Sequence, residues 1–329
     1  MQHVTTRVLV VSDTHAHEGN EGLTLPDLPV DVAIHCGDLT EQSKLEELRM
    51  SLHLLRKINS PLKLVIAGNH DFTLDDKTFQ QKKSQAEAAF NIDSELMVRE
   101  YGSLGDGRQL FDDAKADGIM FLDQGVHHFH LANGANLTVY ASPYTPSPEA
   151  DWGFQYKRGE HHDFAVPQNI DVVITHGPPK GLFDMTADRQ RGGCEHLFAA
   201  VARARPRLHC FGHMHEGWGA KIVSWRDTRP GEIPSHFNAI DNDRSTTVDS
   251  LAALRVGKWD TQQDIAEKEN CLAQLRATGY RATDHCSDSE HPIRPGQSTL
   301  FVNAAIKSSR EEQHQLPWVI ELELPAAIQ

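Results

Sequence analysis

Short apolar runs in this chain end in groups that bind cations. Asp13 and His15 follow RVLVVS, Asp38 follows VDVAIHC and a glycine, and Asn69 and His70 follow LKLVIA and a glycine. His176 follows DVVIT, and His213 and His215 follow RLHCF and a glycine. Carboxylate, carboxamide and imidazole form the mixed donor set that two divalent cations sharing a carboxylate require. Two such ions, about 3.5–4 Å apart, polarise a phosphoryl oxygen and hold a hydroxide for in-line attack. Asp13 and His15 are two residues apart, as are His213 and His215, a spacing that puts both side chains on one face of extended backbone. Taken singly, each residue is better explained by a turn or a satisfied core position. Jointly they have no comparable structural explanation.

The elements that must position these groups follow from the same runs. Residues 7–12, 30–36, 62–67, 171–175 and 207–211 are short and β-branched, as buried strands are. Between them, Leu45, Leu48, Leu52 and Leu55 form an apolar stripe at helical spacing within 41–58. Further helices are expected over 78–92 and 192–204. Strands alternating with helices indicate an α/β layered fold, whose functional residues gather beyond the carboxyl ends of the strands. A hairpin is expected around Ala132-Asn133-Gly134-Ala135, and strands over 298–306 and 318–324. Residues 226–297 differ in composition, being charge-rich with turn signals at Arg229-Pro230-Gly231 and Arg294-Pro295-Gly296. They are expected to be an insertion within a single domain spanning 1–329, with one helix over 260–278 and the rest irregular. Its attachment just after a ligand loop suits a lid or an interaction element.

Bulk properties narrow the function classes. Hydrophobic residues make up 39%, enough for a substantial core, yet no run approaches the length of a membrane helix. The N-terminal apolar run is short and reads as a first core strand, not a signal peptide. A net charge of −14 argues against general nucleic-acid binding. Five cysteines without a CxxC pair fit reduced thiols in a cytoplasmic setting, with Cys36 and Cys210 buried and Cys271 and Cys286 unpaired.

Other residues carry competing readings. His127, His128 and His130 suit a partly exposed strand better than a second metal site, and His161 and His162 suit a solvated loop. Arg189 and Arg191 fit a helix entry better than a phosphate contact. Trp152, Phe154 and Trp218 are open to either core packing or stacking on a planar ligand.

DTH, GDL, GNHD, THGPP and GHMH, in this order, resemble the motifs of the calcineurin-like metallophosphoesterase superfamily. SDTHAH, GDLTE, YASPYTP, DWGFQ, THGPPKG, GHMHEGWG and LFVNAAI are similar to the metallophosphoesterase-domain-containing branch (MPPED). The resemblance covers roughly 7–225 and 298–324, and the chain departs from it by about 70 extra residues. It implies a layered β-sandwich flanked by helices, with the active site at the strand C-terminal ends. It implies two divalent metal ions, manganese, iron or zinc. Asp13, His15 and His215 would hold the first, Asn69, His176 and His213 the second, and Asp38 would bridge them. His70 would face the leaving-group oxygen as general acid or cationic stabiliser, oriented in many relatives by a carboxylate that sequence does not identify. The implied activity is a phosphodiesterase acting on cyclic nucleotides or similar small phosphodiesters. A phosphomonoesterase and a non-catalytic metal-binding scaffold are the alternatives. Neither a membrane partner nor a particular oligomeric state is implied.

Overall fold

The computed structural model describes residues 2–16, 25–90, 94–227, 229, 231–307 and 315–327. His17 of SDTHAH, the last two residues of the helix expected over 78–92, and Pro230 lie outside the described residues.

Among the described residues, fifteen strands appear in chain order. They are β1 (His3–Val11), β2 (Val32–His35), β3 (Lys63–Val65), β4 (Ile119–Phe121), β5 (Gly125–His130), β6 (Asn136–Ser142), β7 (Thr145–Ser147) and β8 (Gln155–Lys157). There follow β9 (Val172–Thr175), β10 (Leu208–Phe211), β11 (Gly219–Trp225), β12 (Ile240–Ser250), β13 (Arg281–Asp284), β14 (Ser298–Asn303) and β15 (Trp318–Pro325). The α-helices are α1 (Leu45–Arg56), α2 (Asp76–Phe90), α3 (Ser94–Tyr101), α4 (Asp106–Asp113), α5 (Glu195–Ala204), α6 (Leu251–Leu254) and α7 (Gln262–Thr278).

Two sheets carry the fold. One runs β13-β15-β1-β2-β3-β4 and the other β12-β11-β14-β10-β9-β6-β5. Alternation along each strand builds three cores. Val8 and Val10 of β1 meet Leu137 and Val139 of β6 and Val172 and Ile174 of β9 between the sheets. Leu9 and Val65 point the other way, onto Leu48, Leu52 and Leu55 of α1 and Phe111 of α4. Val173, Phe211 and Phe301 point outward onto Leu197, Phe198 and Val201 of α5. The result is a β-sandwich with helices on both outer faces. Strands covered on both sides need no polar face, which is why these runs are apolar throughout.

β1, β2 and β3 are mutually parallel, as are β9, β10 and β14. Every cluster of candidate ligands therefore leaves its sheet at the same end. The two sheets also touch at that end. Ser12 bridges to Ala305, and the His213 N–H donates to Asp13.

The expected hairpin forms, with Leu131 N–H donating to the Ala135 carbonyl and Gly134 at φ 89°. The helix expected at 260–278 is α7. Residues 226–297 are otherwise more regular than expected, because β12 extends the second sheet from β11 and β13 pairs in parallel with β15 in the first. Both are edge strands held by backbone bonds on one side, so neither needs the apolar alternation that would reveal it.

Candidate dinuclear metal centre

Each expected site residue sits just beyond a strand end. Asp13 and His15 follow β1, Asp38 follows β2, Asn69 and His70 follow β3, His176 follows β9, and His213 follows β10. His215 opens a short 3-10 turn before β11. Asp13, His15, Asp38 and His213 all take left-handed backbone conformations, with φ of 56°, 47°, 52° and 65°. Such conformations cost non-glycine residues free energy and collect at functional sites. Here they turn the chain back sharply enough to present several side chains to one point.

Glycines make room for that convergence. A Cβ on Gly68 would lie 2.3 Å from Asp38 Oδ1 and 2.7 Å from His176 Cε1. One on Gly212 would lie 2.0 Å from Asp13 Oδ2.

Two groups of donors form around this point. Asp13, His15 and His215 have ligand-type atoms within 4.8 Å of one another, and so do Asp38, His176 and His213. Asp38 stands between the groups, its Oδ2 3.8 Å from His15 Nε2 and its Oδ1 3.3 Å from His176 Nε2. Asn69 Oδ1 is 3.0 Å from the same His176 nitrogen. Asp13 Oδ1 is 3.4 Å from His215 Nε2. His213 and His215 thus fall in different groups.

The donor chemistry fits cations. His15 Nδ1 lies 3.0 Å from the Thr40 carbonyl, and His176 Nδ1 lies 2.9 Å from the Cys36 carbonyl. A carbonyl only accepts, so both rings carry a proton on Nδ1, which leaves Nε2 of each ring as the atom facing inward. His15 Nε2 is buried and has no hydrogen-bond partner. A buried acceptor aimed at a carboxylate, with no donor nearby, is what a cation would satisfy.

The charges are strongly interdependent. Burial alone would raise Asp38, but His176, then His15 and His70, hold it well below the usual carboxylate range. Asp13 is likewise lowered against burial, by its hydrogen bond to His215 and the charges of His215 and His176. Burial pushes His15 and His213 down to about 4. His176 rises to about 9 despite burial, because Asp38 and Asp13 favour its protonated form.

Three residues belong to this neighbourhood that sequence reasoning did not single out. Glu41 groups with His15 and His70, and its carboxylate forms an ion pair with Lys307. Its main-chain carbonyl lies 2.7 Å from His70 Nδ1, so a backbone oxygen is the hydrogen-bond partner of His70. Asp71 is the third. Its carboxylate accepts from the main-chain N–H groups of Leu39, Thr40 and Gly68 and from the Thr40 hydroxyl, at 2.7–3.1 Å. It ties the Asp38 loop to the Asn69 loop, and burial with the nearby Asp38 pushes it up to about 6.

The competing readings separate by position. Trp218 is in the core, stacked on Trp318 at 4.8 Å. Phe154 packs beside the α1–α4 core, whereas Trp152 lies against His70 with ring centres 4.7 Å apart. His127, His128 and His130 lie along β5, away from the centre, with His130 bonded to Asn136. His161 and His162 lie in an irregular segment as expected, His161 exposed and His162 half-buried against Tyr144, Tyr156 and Phe164. Arg191 pairs with the buried Asp184. Cys36 and Cys210 are buried, and Cys271 and Cys286 are free thiols. Among the described residues, no helix is long and apolar enough to cross a membrane.

Comparison with known proteins agrees with the geometry. Residues 6–217 match the calcineurin-like phosphoesterase family. Over 219 residues the chain is 33% identical to human metallophosphoesterase domain-containing protein 1, covering 65% of this chain and 62% of that one. It is 34% identical over 223 residues to a probable rhamnogalacturonate lyase C of Emericella nidulans, covering 67% of this chain but 18% of that protein. A UPF0046 protein of Caenorhabditis elegans is 33% identical over 195 residues, which cover 58% of this chain and 47% of the worm protein. The chain spans less than two thirds of the length of these relatives. The family match covers more than half of the chain and contains every residue of the centre, and the chain belongs to the calcineurin-like phosphoesterase family.

Proposed function

We propose that the protein is a metal-dependent phosphoester hydrolase whose preferred substrates are small phosphodiesters, cyclic nucleotides among them. The observation that carries this reading is the meeting of two donor groups at Asp38, with the unpartnered Nε2 of His15 turned toward it. In this reading Asp13, His15 and His215 hold one divalent cation, Asn69, His176 and His213 hold a second, and Asp38 bridges. Manganese, iron and zinc all suit imidazole with carboxylate. When bound, the pair supplies Lewis acidity and an activated water at neutral pH.

The chain's own residues do the rest. The carbonyls of Thr40 and Cys36 fix the tautomers of His15 and His176. His70 holds a proton at Nε2 for the leaving oxygen while its Nδ1–H stays on the Glu41 carbonyl. The whole chain acts as one domain in this reading, with residues 226–297 an insertion in it that serves as a lid or an interaction element. Five free cysteines, four of them buried, support a reducing, cytoplasmic setting.

The test uses protein stripped of metal and reloaded with manganese, assayed on a bis-aryl phosphodiester and an aryl phosphomonoester beside a His213→Ala control. Diester turnover that is lost in the control supports the reading. A preference for the monoester replaces the substrate class with phosphomonoesters. No turnover with both ions bound would sink the enzymatic reading and leave a metal-binding scaffold.

A further inference from the structure

We propose that Trp152 is a positioning residue that holds the His70 imidazole in line with the leaving group. The inference rests on the role given to His70 above and adds a residue to it.

The His70 ring is restrained on three sides. Its main-chain N–H donates to Asp38 Oδ1 at 2.8 Å, and its Nδ1–H donates to the Glu41 carbonyl at 2.7 Å. The His15 ring meets it edge-on at 4.8 Å and 87°. These contacts fix where the ring is anchored and which nitrogen faces inward. They still let it rock about its Cβ–Cγ bond within the latitude of that one hydrogen bond, a broad torsion for a histidine. Trp152 closes that freedom, its ring 4.7 Å from the imidazole at 40°.

Trp152 is itself braced from behind. Its N–H donates to Gln155 Oε1 at 3.2 Å, and the next N–H, of Gly153, donates to the Asn69 carbonyl at 3.1 Å. The tryptophan loop is thereby bonded to the residue that precedes His70. Gly153 passes so close to Phe72 that an added Cβ would lie 2.7 Å from its Cα. Phe72 meets the indole edge-on at 6.2 Å, and the Lys82 ammonium from α2 stands 4.9 Å over it. The indole is thus braced on its flanks and stands half-buried beside His70.

The step this serves is displacement at phosphorus, in which a hydroxide from water forms a new P–O bond as the P–O bond to the leaving group breaks. The electron pair of that bond goes to the leaving oxygen, the proton on His70 Nε2 goes to the same oxygen, and neutral imidazole remains with Nδ1–H on Glu41. Proton delivery matters most when the leaving group is a poor one. Misplacing the donor therefore raises the dependence of rate on leaving-group acidity, whereas loosening the fold lowers all rates alike.

The experiment measures kcat and KM for aryl methyl phosphodiesters spanning a range of phenol acidities, on manganese-loaded wild type, Trp152→Leu, Trp152→Phe and His70→Ala, with bound metal counted for each. Trp152→Leu is expected to lose roughly tenfold or more in kcat on the poorest leaving group, with little loss on the best. KM should change by less than about twofold and metal content should stay at the wild-type level. Trp152→Phe should recover most of the loss. A wild-type slope in Trp152→Leu, beside a steepened slope in His70→Ala, overturns the proposal. Uniform loss with reduced metal also overturns it, assigning Trp152 to bracing the Asn69 loop. An unsteepened slope in His70→Ala with full metal overturns the role of His70 and this proposal with it.

Discussion

Asp38 Oδ1 accepts the main-chain N–H of His70 at 2.8 Å, while Asp38 Oδ2 faces the unpartnered Nε2 of His15. In the proposed centre this one carboxylate would serve two purposes, as the shared donor of both cation groups and as the strut of the loop that carries His70. The two can be separated, because an asparagine at this position keeps an acceptor oxygen and loses the charge.

Asp38→Asn should therefore still fold with the His70 loop held, though at a lower melting temperature because the attraction of His176 is lost, and bind manganese at least about tenfold more weakly. Titration calorimetry on stripped protein measures it. Wild-type affinity in the variant would remove Asp38 from the centre.

Gly212→Ala should damage the centre without touching a ligand. The added Cβ would come within 2.0 Å of Asp13 Oδ2, 2.1 Å of Ser12 Oγ and 2.6 Å of Ser12 Cβ; the two oxygens can turn away only by giving up their bonds to the His213 N–H and the Gly37 carbonyl, and Ser12 Cβ yields only if the backbone moves. We expect a stability loss of about 1–3 kcal/mol and a drop in bound metal, read by denaturant titration and metal analysis. Retention of both would mean that the loop relaxes freely.

Acid sensitivity should be traceable to His209. It is fully buried, and the hydroxyl of Thr175, which donates to the Gly177 carbonyl, is left to accept the Nε2–H of His209. Nδ1 has no partner, and burial pushes the residue down to about 3. The unfolded chain, with an ordinary histidine, binds this proton from about pH 6.5 downward, and the folded chain does not. The stabilising contribution is thus complete above pH 6.5 and is lost as pH falls toward 3, by at most about 1.4 kcal/mol per pH unit. His209→Gln should flatten the decline of urea midpoints between pH 6.5 and 4. An unchanged decline would show that other groups dominate it.

Leu275 of α7 tests whether residues 226–297 are integral to the domain. Its side chain is buried in the core between the sheets, together with Leu254 of α6. Leu275→Ala should cost roughly 2 kcal/mol or more in global stability. A merely attached lid would give no change in the main unfolding transition.

How much of this was legible in advance depends on what holds each element. The strands that carry Asp13, Asp38, Asn69, His176 and His213 are covered on both faces, so their apolar runs and abrupt polar ends stand out in sequence. The layered arrangement followed from them. β12 reads IDNDRSTTVDS and pairs on one side only, so nothing in its composition marks a strand. α3 and α4, eight residues each, are too short to show a full stripe. Within the centre, residue type revealed the donors but not their supports. Asp71 looks like one more site carboxylate by adjacency, yet it accepts backbone bonds from the Asp38 loop and from its own. Glu41 supports His70 through its carbonyl, which no side-chain pattern can announce. Trp152 meets His70 from a loop some eighty positions away in the chain, and only the folded packing brings them together.

The order of strands in the first sheet has a consequence for how the molecule is made. β1 lies between β2 and β15, so one of its edges is completed early and the other only by residues 318–325. During synthesis the strand leading to Asp13 and His15 must wait, half-paired, until nearly the whole chain has emerged. Long-range pairing of this kind slows folding and leaves an exposed edge open to wrong partners. Chains halted before β15 should therefore be prone to aggregation even though every cation-binding residue is already present in them.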